Sequence, residues 1–487
     1  MNIESTRSRR AARRSSWIVG VALCLSAAPA RGEITLVETK EWRVFARGRM
    51  QAFLNYNQGD GLPRSPLDAN GNAVSLLAGG DDSPVALKEG EDPNRVAGEI
   101  QDLRIRTGFV GNVLGLGFTH RLSDDLEVTG YTAVTTYIDS TARRKYAPVT
   151  PDWRESYLQV TGTWGSLTAG RTLVLFSRGA TEITYLYGYE YGLGWVGNVS
   201  TLGTNGPSAG LVGFGVLGNG FGAGISYATP NLLGAQLSVG LYDANNIPGS
   251  GTLERTRWPR AESELTYEAA FGRSAMLKLF VNGAYQKIYE RSGFRDQTIA
   301  GVGYGGRFEL GPVHLGLAGH QGKGIGVNFA LEPNDSGWHP SLPDRKFREV
   351  DGYSVHLQVS PSEKFDLMAA AGITRIHRLD EDKYDTRDSD DDDRNRDGLV
   401  DANPALAATP ALDDDGVAGP DSVGFVPLKH QIGLSAGVTY HLSPSLHLAL
   451  EYFRAMFKWH TPVPYLAGAD GEEQNFDVVN LGITYDF

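Results

Sequence analysis

The segment 42–56, WRVFARGRMQAFLNY, places Arg43, Arg47 and Arg49 at odd positions, together with a glutamine and an asparagine. Apart from a tyrosine and a tryptophan at its two ends, the even positions are apolar or small. A strand alternates its side chains between two faces, so this strand would carry cations on one face and an apolar surface on the other. A face with three guanidinium groups is expected to act by electrostatic attraction of anions.

Two further segments alternate charge in the same way. Arg104 and Arg106 share one parity on the next predicted strand. The segment 260–271, RAESELTYEAAF, has acidic residues on one parity and mainly apolar residues on the other. Its acidic positions are Glu262, Glu264 and Glu268. Cations on one wall of an aqueous passage and carboxylates opposite would produce a transverse field that orients polar solutes.

An acidic segment suggests a different chemistry. Residues 388–401 read DSDDDDRNRDGLVD, which gives oxygen ligands at alternate positions before a glycine turn, as a calcium loop requires. The spacing resembles that of thrombospondin type 3 repeats, and it departs from an EF-hand because the twelfth position is Pro404. A solvated acidic surface loop is the alternative. The candidate ligands are Asp393, Asn395, Asp397 and Asp401.

The elements that would position these groups are strands. Alternating segments follow one another almost to the end of the 487-residue chain, joined in turn by tight turns and by longer polar connections. No internal run approaches the roughly 18 apolar residues of a membrane helix. About 16 strands, short turns on one side and long loops on the other predict an all-β fold, a transmembrane antiparallel β-barrel. Lipid would cover the apolar face of each strand, and the face that carries the charged residues would line the lumen.

A soluble protein built of β-sandwiches or a propeller is the alternative fold. It explains neither the alternation of long and short loops nor the aromatic residues near the strand ends. The chain also shows no repeat period.

The first 30 residues have the composition of a cleaved secretory signal. Five arginines precede an apolar run from Trp17 to Ser26, and Ala28-Pro29-Ala30 offers a cleavage site, with residue 32 as the alternative end. The only cysteine lies inside this segment, so the mature chain would have no disulfide. Cleavage after residue 30 would change the formal charge from −12 to −16, which disfavours nucleic-acid binding. Residues 33–487 would form one domain with an acidic extracellular insert at 379–427.

The C-terminal strand alternates up to the last residue. Phe487, Tyr485, Ile483 and Leu481 share one parity, and polar or small residues share the other. A terminal phenylalanine that closes such a strand looks like the assembly signal of bacterial outer-membrane proteins. The barrel assembly machinery would recognise it.

Five pieces of sequence together resemble the Gram-negative general porins. They are Gly48-Arg49 followed by Tyr56, TGFVGNVLGLGFTHRLSDDLEVTGYTA, ESYLQVTGTWGSLTAGR, YATPNLLGAQLSVGLY and the terminal GITYDF. The resemblance implies a 16-stranded homotrimer in the outer membrane, with short periplasmic turns, long extracellular loops, and lipid and lipopolysaccharide around it. Export would follow the general secretory pathway.

The resemblance also implies that the connection after Arg171 folds into the lumen as a constriction loop. It places acidic roles on Glu182 and Glu190 of that loop and basic-wall roles on Arg49, Arg104 and Arg106. Strand alternation adds Arg43 and Arg47 to the basic wall, and Glu262, Glu264 and Glu268 to the acidic wall. An ordinary solvated lumen with the constriction elsewhere is the alternative for these charges, since alternation fixes the face and not the height.

The function that follows is a passive channel for small hydrophilic solutes and ions, with no required cofactor and possible calcium in the acidic loop. A porin selective for anions or sugars is the second hypothesis, with a tyrosine run at 185–191 as a stacking surface. A surface adhesin or receptor is the third. Catalysis is not expected, because no motif frames any histidine and no nucleophile elbow is present.

Overall fold

The computed structural model describes residues 33–60, 99–108, 111–136, 138, 152–182, 194–195, 206–207, 211–244, 258–272, 274–288, 297–327, 330, 347–377, 428–459 and 473–487. Several features predicted from the sequence lie outside the described residues: the signal segment, Glu190, the tyrosine run, the insert 379–427 and its four candidate calcium ligands. Among the described residues, no helix is long and apolar enough to cross a bilayer.

The described residues are nearly all in strands. The elements are β1 (Ile34–Glu38), β2 (Trp42–Asp60), β3 (Glu99–Arg106), β4 (Asn112–Ser123), β5 (Leu126–Thr136), β6 (Asp152–Gly162), β7 (Gly165–Leu173), α1 (Arg178–Glu182), β8 (Gly194–Trp195), β9 (Gly206–Pro207), β10 (Phe221–Ala228), β11 (Ala235–Tyr242), β12 (Arg260–Phe271), β13 (Ala275–Ile288), β14 (Gln297–Leu310), β15 (Val313–Lys323), β16 (Glu349–Ser362), β17 (Phe365–His377), β18 (Leu428–His441), β19 (Leu446–Trp459) and β20 (Glu473–Asp486).

One antiparallel sheet closes into the predicted 16-stranded barrel. β2 pairs with β20, the last strand, so the sheet has no open seam. β3 and β4 pair with the upper and lower halves of β2 and together form one barrel strand. β1 pairs only with the start of β2 and does not run around the barrel. β8 and β9 form a separate two-stranded pair.

The predicted strand across residues 103–121 is broken in the structure. β3 ends at Arg106 and β4 begins at Asn112, and Gly111 between them has φ 79°. Gln51 of β2 occupies the break: its backbone N–H donates to Asn112 Oδ1 over 2.7 Å and its Nε2 donates to Gly111 O over 2.7 Å. At the break, side-chain hydrogen bonds of Gln51 and Asn112 therefore replace backbone hydrogen bonds between neighbouring strands. The alternation carries no signal for this interruption.

Exposure alternates along the strands as a barrel in lipid requires. On β12, Glu262 and Glu264 are 4% and 2% exposed, whereas Leu265, Tyr267 and Phe271 on the other parity are 41–56% exposed. Exposed apolar residues on one face would be costly in water and are stabilised by lipid contact. The short hairpin turns lie at the end where β2 begins, which is the periplasmic end in barrels of this type.

Candidate functional site

Two stretches of the connection between β7 and β10 lie inside the barrel. We call residues 174–182 the first lumen segment and residues 211–220 the second lumen segment. Both contact inward-facing side chains of the wall, and Val174, Leu175, Phe176, Leu211, Phe214, Val216 and Leu217 are almost fully buried. The residues between these two stretches are described only at β8 and β9.

The first lumen segment is held by charged and polar groups of β12 and β13. The Phe176 N–H donates to Glu262 Oε2 over 2.8 Å, and the Ser177 N–H donates to Asn282 Oδ1 over 3.2 Å. Arg178, at the start of α1, donates from Nε to Glu264 Oε2 over 2.8 Å. The two glutamates are therefore bonded to the loop backbone and to a loop cation.

Small residues on the inner wall make room for these segments. A side chain at Gly301 of β14 would overlap the ring of Phe176. Across the lumen, a Cβ at Gly433 of β18 would meet Phe214 in the same way. Glycines at inward positions of a strand commonly mark a close approach of another segment.

The second lumen segment packs against the opposite part of the wall. The ring of Phe214 makes edge contacts with Phe453 and Phe457 of β19, with centroids 5.1 and 5.6 Å apart. The Gly215 N–H donates to Thr374 Oγ1 of β17 over 2.8 Å. Its φ of 95° favours glycine at this position.

The two segments also bond to each other. Ser177 Oγ donates to the carbonyl of Leu217, and Thr181 Oγ1 donates to Asn219 Oδ1 over 3.0 Å. Ser177 and Leu211 both have positive φ, 70° and 65°, although neither is glycine. Such conformations cost about 1–3 kcal/mol each and persist where surrounding contacts determine them. The described parts of the connection thus form a fixed body along the wall from β12 to β19.

The opposite part of the wall keeps contact with solvent. Tyr131 and Tyr157 lie on the inner face of β5 and β6 with their ring centroids 5.8 Å apart and their ring planes tilted by 49°. The inward-facing side chains there that remain partly exposed are Glu127, Thr129, Tyr131, Glu155, Tyr157, Gln159 and Thr161. The open part of the lumen therefore lies beside β5 and β6 and the start of β2.

The predicted basic residues lie at different heights. Arg49 is 8% exposed and bonded to Asp486 of β20 over 2.6 Å. Arg43 and Arg47 precede the position where β20 ends, so they lie at the short-turn end of the lumen, and both are ion-paired with Glu33. Arg104 and Arg106 of β3 pair in register with Asn55 and Phe53 of β2, which are inward positions of that strand.

The predicted acidic residues are also separated. Glu262 and Glu264 lie beneath the first lumen segment, and Glu262 also accepts a 2.6 Å hydrogen bond from Arg260 Nε. Glu268 lies near the short turns, 3.7 Å from Lys278 Nζ, with both side chains partly exposed. Glu182 is the last residue of α1. The structure brings Glu262 and Glu264 together with the loop, and does not bring them opposite Arg43 or Arg47.

Sequence reasoning missed several residues that shape the lumen. One is Glu33, which is ion-paired with Arg43. The others are Asn282, which accepts a hydrogen bond from the Ser177 N–H, and Asp486, which is ion-paired with Arg49. Asn282 and Asp486 occupy inward positions of their strands, and the alternation of polar and apolar residues could have identified that face. Glu33 had none, because β1 was not predicted as a strand.

The C-terminal residue is bound to the first barrel strand. The Phe487 N–H donates to the Gly48 carbonyl over 3.0 Å, and the Gly48 N–H donates to the Phe487 carbonyl over 2.6 Å. The Phe487 ring covers Gly48, where any Cβ would overlap it, and stacks on Tyr485 with centroids 6.0 Å apart. The C-terminus is therefore part of the closed sheet.

Comparison with known proteins agrees with this geometry. The outer-membrane channel DcaP of Acinetobacter baumannii matches with a TM-score of 0.57 at 15% identity, over 93% of this chain and 100% of that chain. An anion-selective porin from Comamonas acidovorans matches with a TM-score of 0.48 at 14% identity, over 92% and 100%. At these identities the likeness to DcaP shows the fold alone. A search of curated proteins found no match.

A family model described as Gram-negative porin matches residues 20–487, which is almost the whole chain. The closed barrel, its apolar outer face and its inward-folded connection agree with this match. The chain therefore belongs to the Gram-negative porin family, the β-barrel channels of the outer membrane.

Proposed function

We propose that this protein is a passive diffusion channel for small hydrophilic solutes and ions, with a charged constriction. The observation that carries the proposal is the attachment of both lumen segments to the wall from β12 to β19. A connection fixed in this way narrows the lumen and leaves a passage beside β2, β5 and β6. Because the remaining inward side chains there are polar, they favour hydrated solutes over apolar ones.

The proposed constriction charges are Arg104 and Arg106 on the wall, with Glu182 and Glu190 on the loop. Opposite charges across a narrow aqueous passage orient dipolar solutes and set the preference between cations and anions. We assign Glu262 and Glu264 to holding the loop in place, because their carboxylates are bonded to it. We assign Arg49 to stabilising the seam between β2 and β20, because it is ion-paired with Asp486 of β20.

The test is a planar-bilayer measurement of conductance and of reversal potential in a KCl gradient. The variants are R104E/R106E, which reverses the wall charges, and E182Q/E190Q, which removes the loop charges. We expect the first to shift selectivity toward cations and the second toward anions. Both shifts should grow at low salt, because the Debye length is about 30 Å at 0.01 M.

Two outcomes would count against the proposal. Unchanged selectivity in both variants would exclude these four residues from the constriction while leaving a channel. Folded wild-type protein that never conducts would remove the channel function and favour a surface receptor. A conductance that saturates with one solute would instead indicate a substrate-selective porin.

We further propose that the protein assembles as a homotrimer, on the basis of family membership. Electrophoresis of unheated detergent extracts should then show one band near three times the mass of the heated chain. A single monomer-sized band under mild extraction, confirmed by light scattering, would contradict the trimer.

A further inference from the structure

The N-terminal strand β1 carries a charged contact that the family resemblance did not assign. β1 pairs with residues 43–46 of β2, beyond the point where Phe487 ends β20. Glu33, directly before β1, reaches the inner face of β2 at the short-turn end of the lumen. There it meets Arg43 and Arg47.

One carboxylate bridges the two guanidinium groups. Glu33 Oε1 lies 2.9 Å from Arg43 Nη1, and Glu33 Oε2 lies 2.7 Å from Arg47 Nη2. Arg47 Nε also donates to Oε2 over 2.8 Å. Each carboxylate oxygen of Glu33 therefore contacts a different guanidinium group, as two oxygens of a bound phosphate or carboxylate would.

The two cations are held in position by an aromatic ring. The Arg43 and Arg47 guanidinium carbons lie 5.2 and 4.7 Å from the centroid of Phe45, within cation–π range. Phe45 itself is 2% exposed and stacks on Tyr131. Planar guanidinium groups fixed in this way are well suited to bidentate recognition of carboxylate or phosphate.

The site is open to the lumen. The side chains of Arg43 and Arg47 are 41% and 22% exposed, and that of Glu33 is 21% exposed. Glu33 directly precedes a short strand that pairs with β2 at four positions. A partly exposed ion pair on so short a strand is worth little free energy, so we expect it to exchange with solutes.

We propose that Arg43 and Arg47 form a subsite for carboxylate- or phosphate-bearing solutes, and that Glu33 occupies it as an intramolecular ligand. Glu33 thereby lowers the anion preference of the periplasmic mouth. The effect on ion selectivity rests on the proposed channel function, whereas binding of an anion to the subsite does not.

The experiment compares four forms of the full-length protein in detergent: wild type, E33Q, E33Q/R43M/R47M and E41Q. Glu41 is an exposed residue before β2, so E41Q removes the same charge nearby without touching the subsite. Inorganic phosphate binding is measured by calorimetry, and reversal potential is measured in bilayers.

We expect E33Q to bind phosphate roughly fivefold more tightly than wild type, the scale of one unmasked charge at about 4 Å in water. E33Q should also shift selectivity toward anions, and the triple variant should lose both effects. E41Q should match wild type. Equal phosphate affinity in wild type and E33Q would overturn the subsite, even in protein that does not conduct. Tighter phosphate binding by E33Q without any conductance would uphold the subsite and reject the channel instead.

Discussion

Arg49 Nε of the first barrel strand and Asp486 Oδ1 of the last lie 2.6 Å apart, one residue before the C-terminus. Their side chains are 10% and 4% exposed. His447 Nε2 of β19 lies 3.8 Å from the second Asp486 oxygen. An inward-facing ion pair therefore spans the seam at which the barrel closes.

Removing one member of this pair should weaken the barrel. R49M and D486N each leave a buried charge without its main counter-charge, and such changes cost about 3–5 kcal/mol. The loss is measured as a lower urea midpoint in detergent, followed by the heat-sensitive gel shift of the folded barrel. D152N is the control, since the Arg154 and Asp152 side chains are 26% and 43% exposed and so more accessible to solvent than the seam pair. Its cost should stay below about 1 kcal/mol, and an equal loss in all three variants would contradict the seam assignment.

Releasing the first lumen segment should enlarge and destabilise the passage. E264Q weakens the contact to Arg178, which is 5% exposed and would keep a buried charge. We expect higher single-channel conductance with more frequent current fluctuations, because a loosened segment no longer holds one position. E268Q, which touches Lys278 near the short turns, provides the control. If E264Q kept the steady conductance of the wild type, the other contacts would be sufficient to hold the first lumen segment in place.

The space above Gly48 should be essential for closure. G48V would drive a side chain into the Phe487 ring and separate the C-terminus from β2. We expect little folded protein in the outer membrane, measured by protease resistance and by the heat-sensitive gel shift. A52V, at an outward position of the same strand, should fold normally because branched residues suit a strand. Normal assembly of G48V would mean that the terminal ring can relocate without cost.

Calcium binding by the acidic insert remains a prediction. The pattern of Asp393, Asn395 and Asp397 supplies oxygens at alternate positions. Full-length protein should then bind calcium with a dissociation constant of about 10⁻⁴–10⁻³ M, the range of extracellular modules. D393A/D397A should remove this binding in calorimetry, while D413A, in the separate run of three aspartates at 413–415, should retain most of it. Absence of heat at millimolar calcium would leave a solvated loop.

The barrel was predictable because alternation is a local property. Each strand must present one apolar face to lipid, so the parities of Glu262 and Leu265 can be read from the sequence directly. The approximate strand count and the presence of tight turns between paired strands could be read from the sequence in the same way. The interruption between β3 and β4 was not predictable, since it depends on where the Gln51 side chain lies.

The charged groups were harder to assign than the strands. Alternation places Arg43, Arg49 and Glu264 on the inner face but says nothing of their height or partners. Those partners, Glu33, Asp486 and Arg178, are distant in sequence or belong to elements without a periodic pattern. The strand face on which a charged residue lies was therefore predictable from the local sequence. Its ion-pair partner is determined only by the closed barrel.

The pairing of β2 with β20 has a consequence for biogenesis. At the Arg49–Asp486 pair the two strands are 437 residues apart in sequence, so the edge of β2 from Arg49 to Gly59 has no partner until β20 has been synthesised and exported. An exposed strand edge is a template for aggregation. The polypeptide must therefore cross the periplasm with its first edge unprotected. A deletion of the whole of β20 would leave that edge open permanently, and we expect proteolysis rather than insertion to follow.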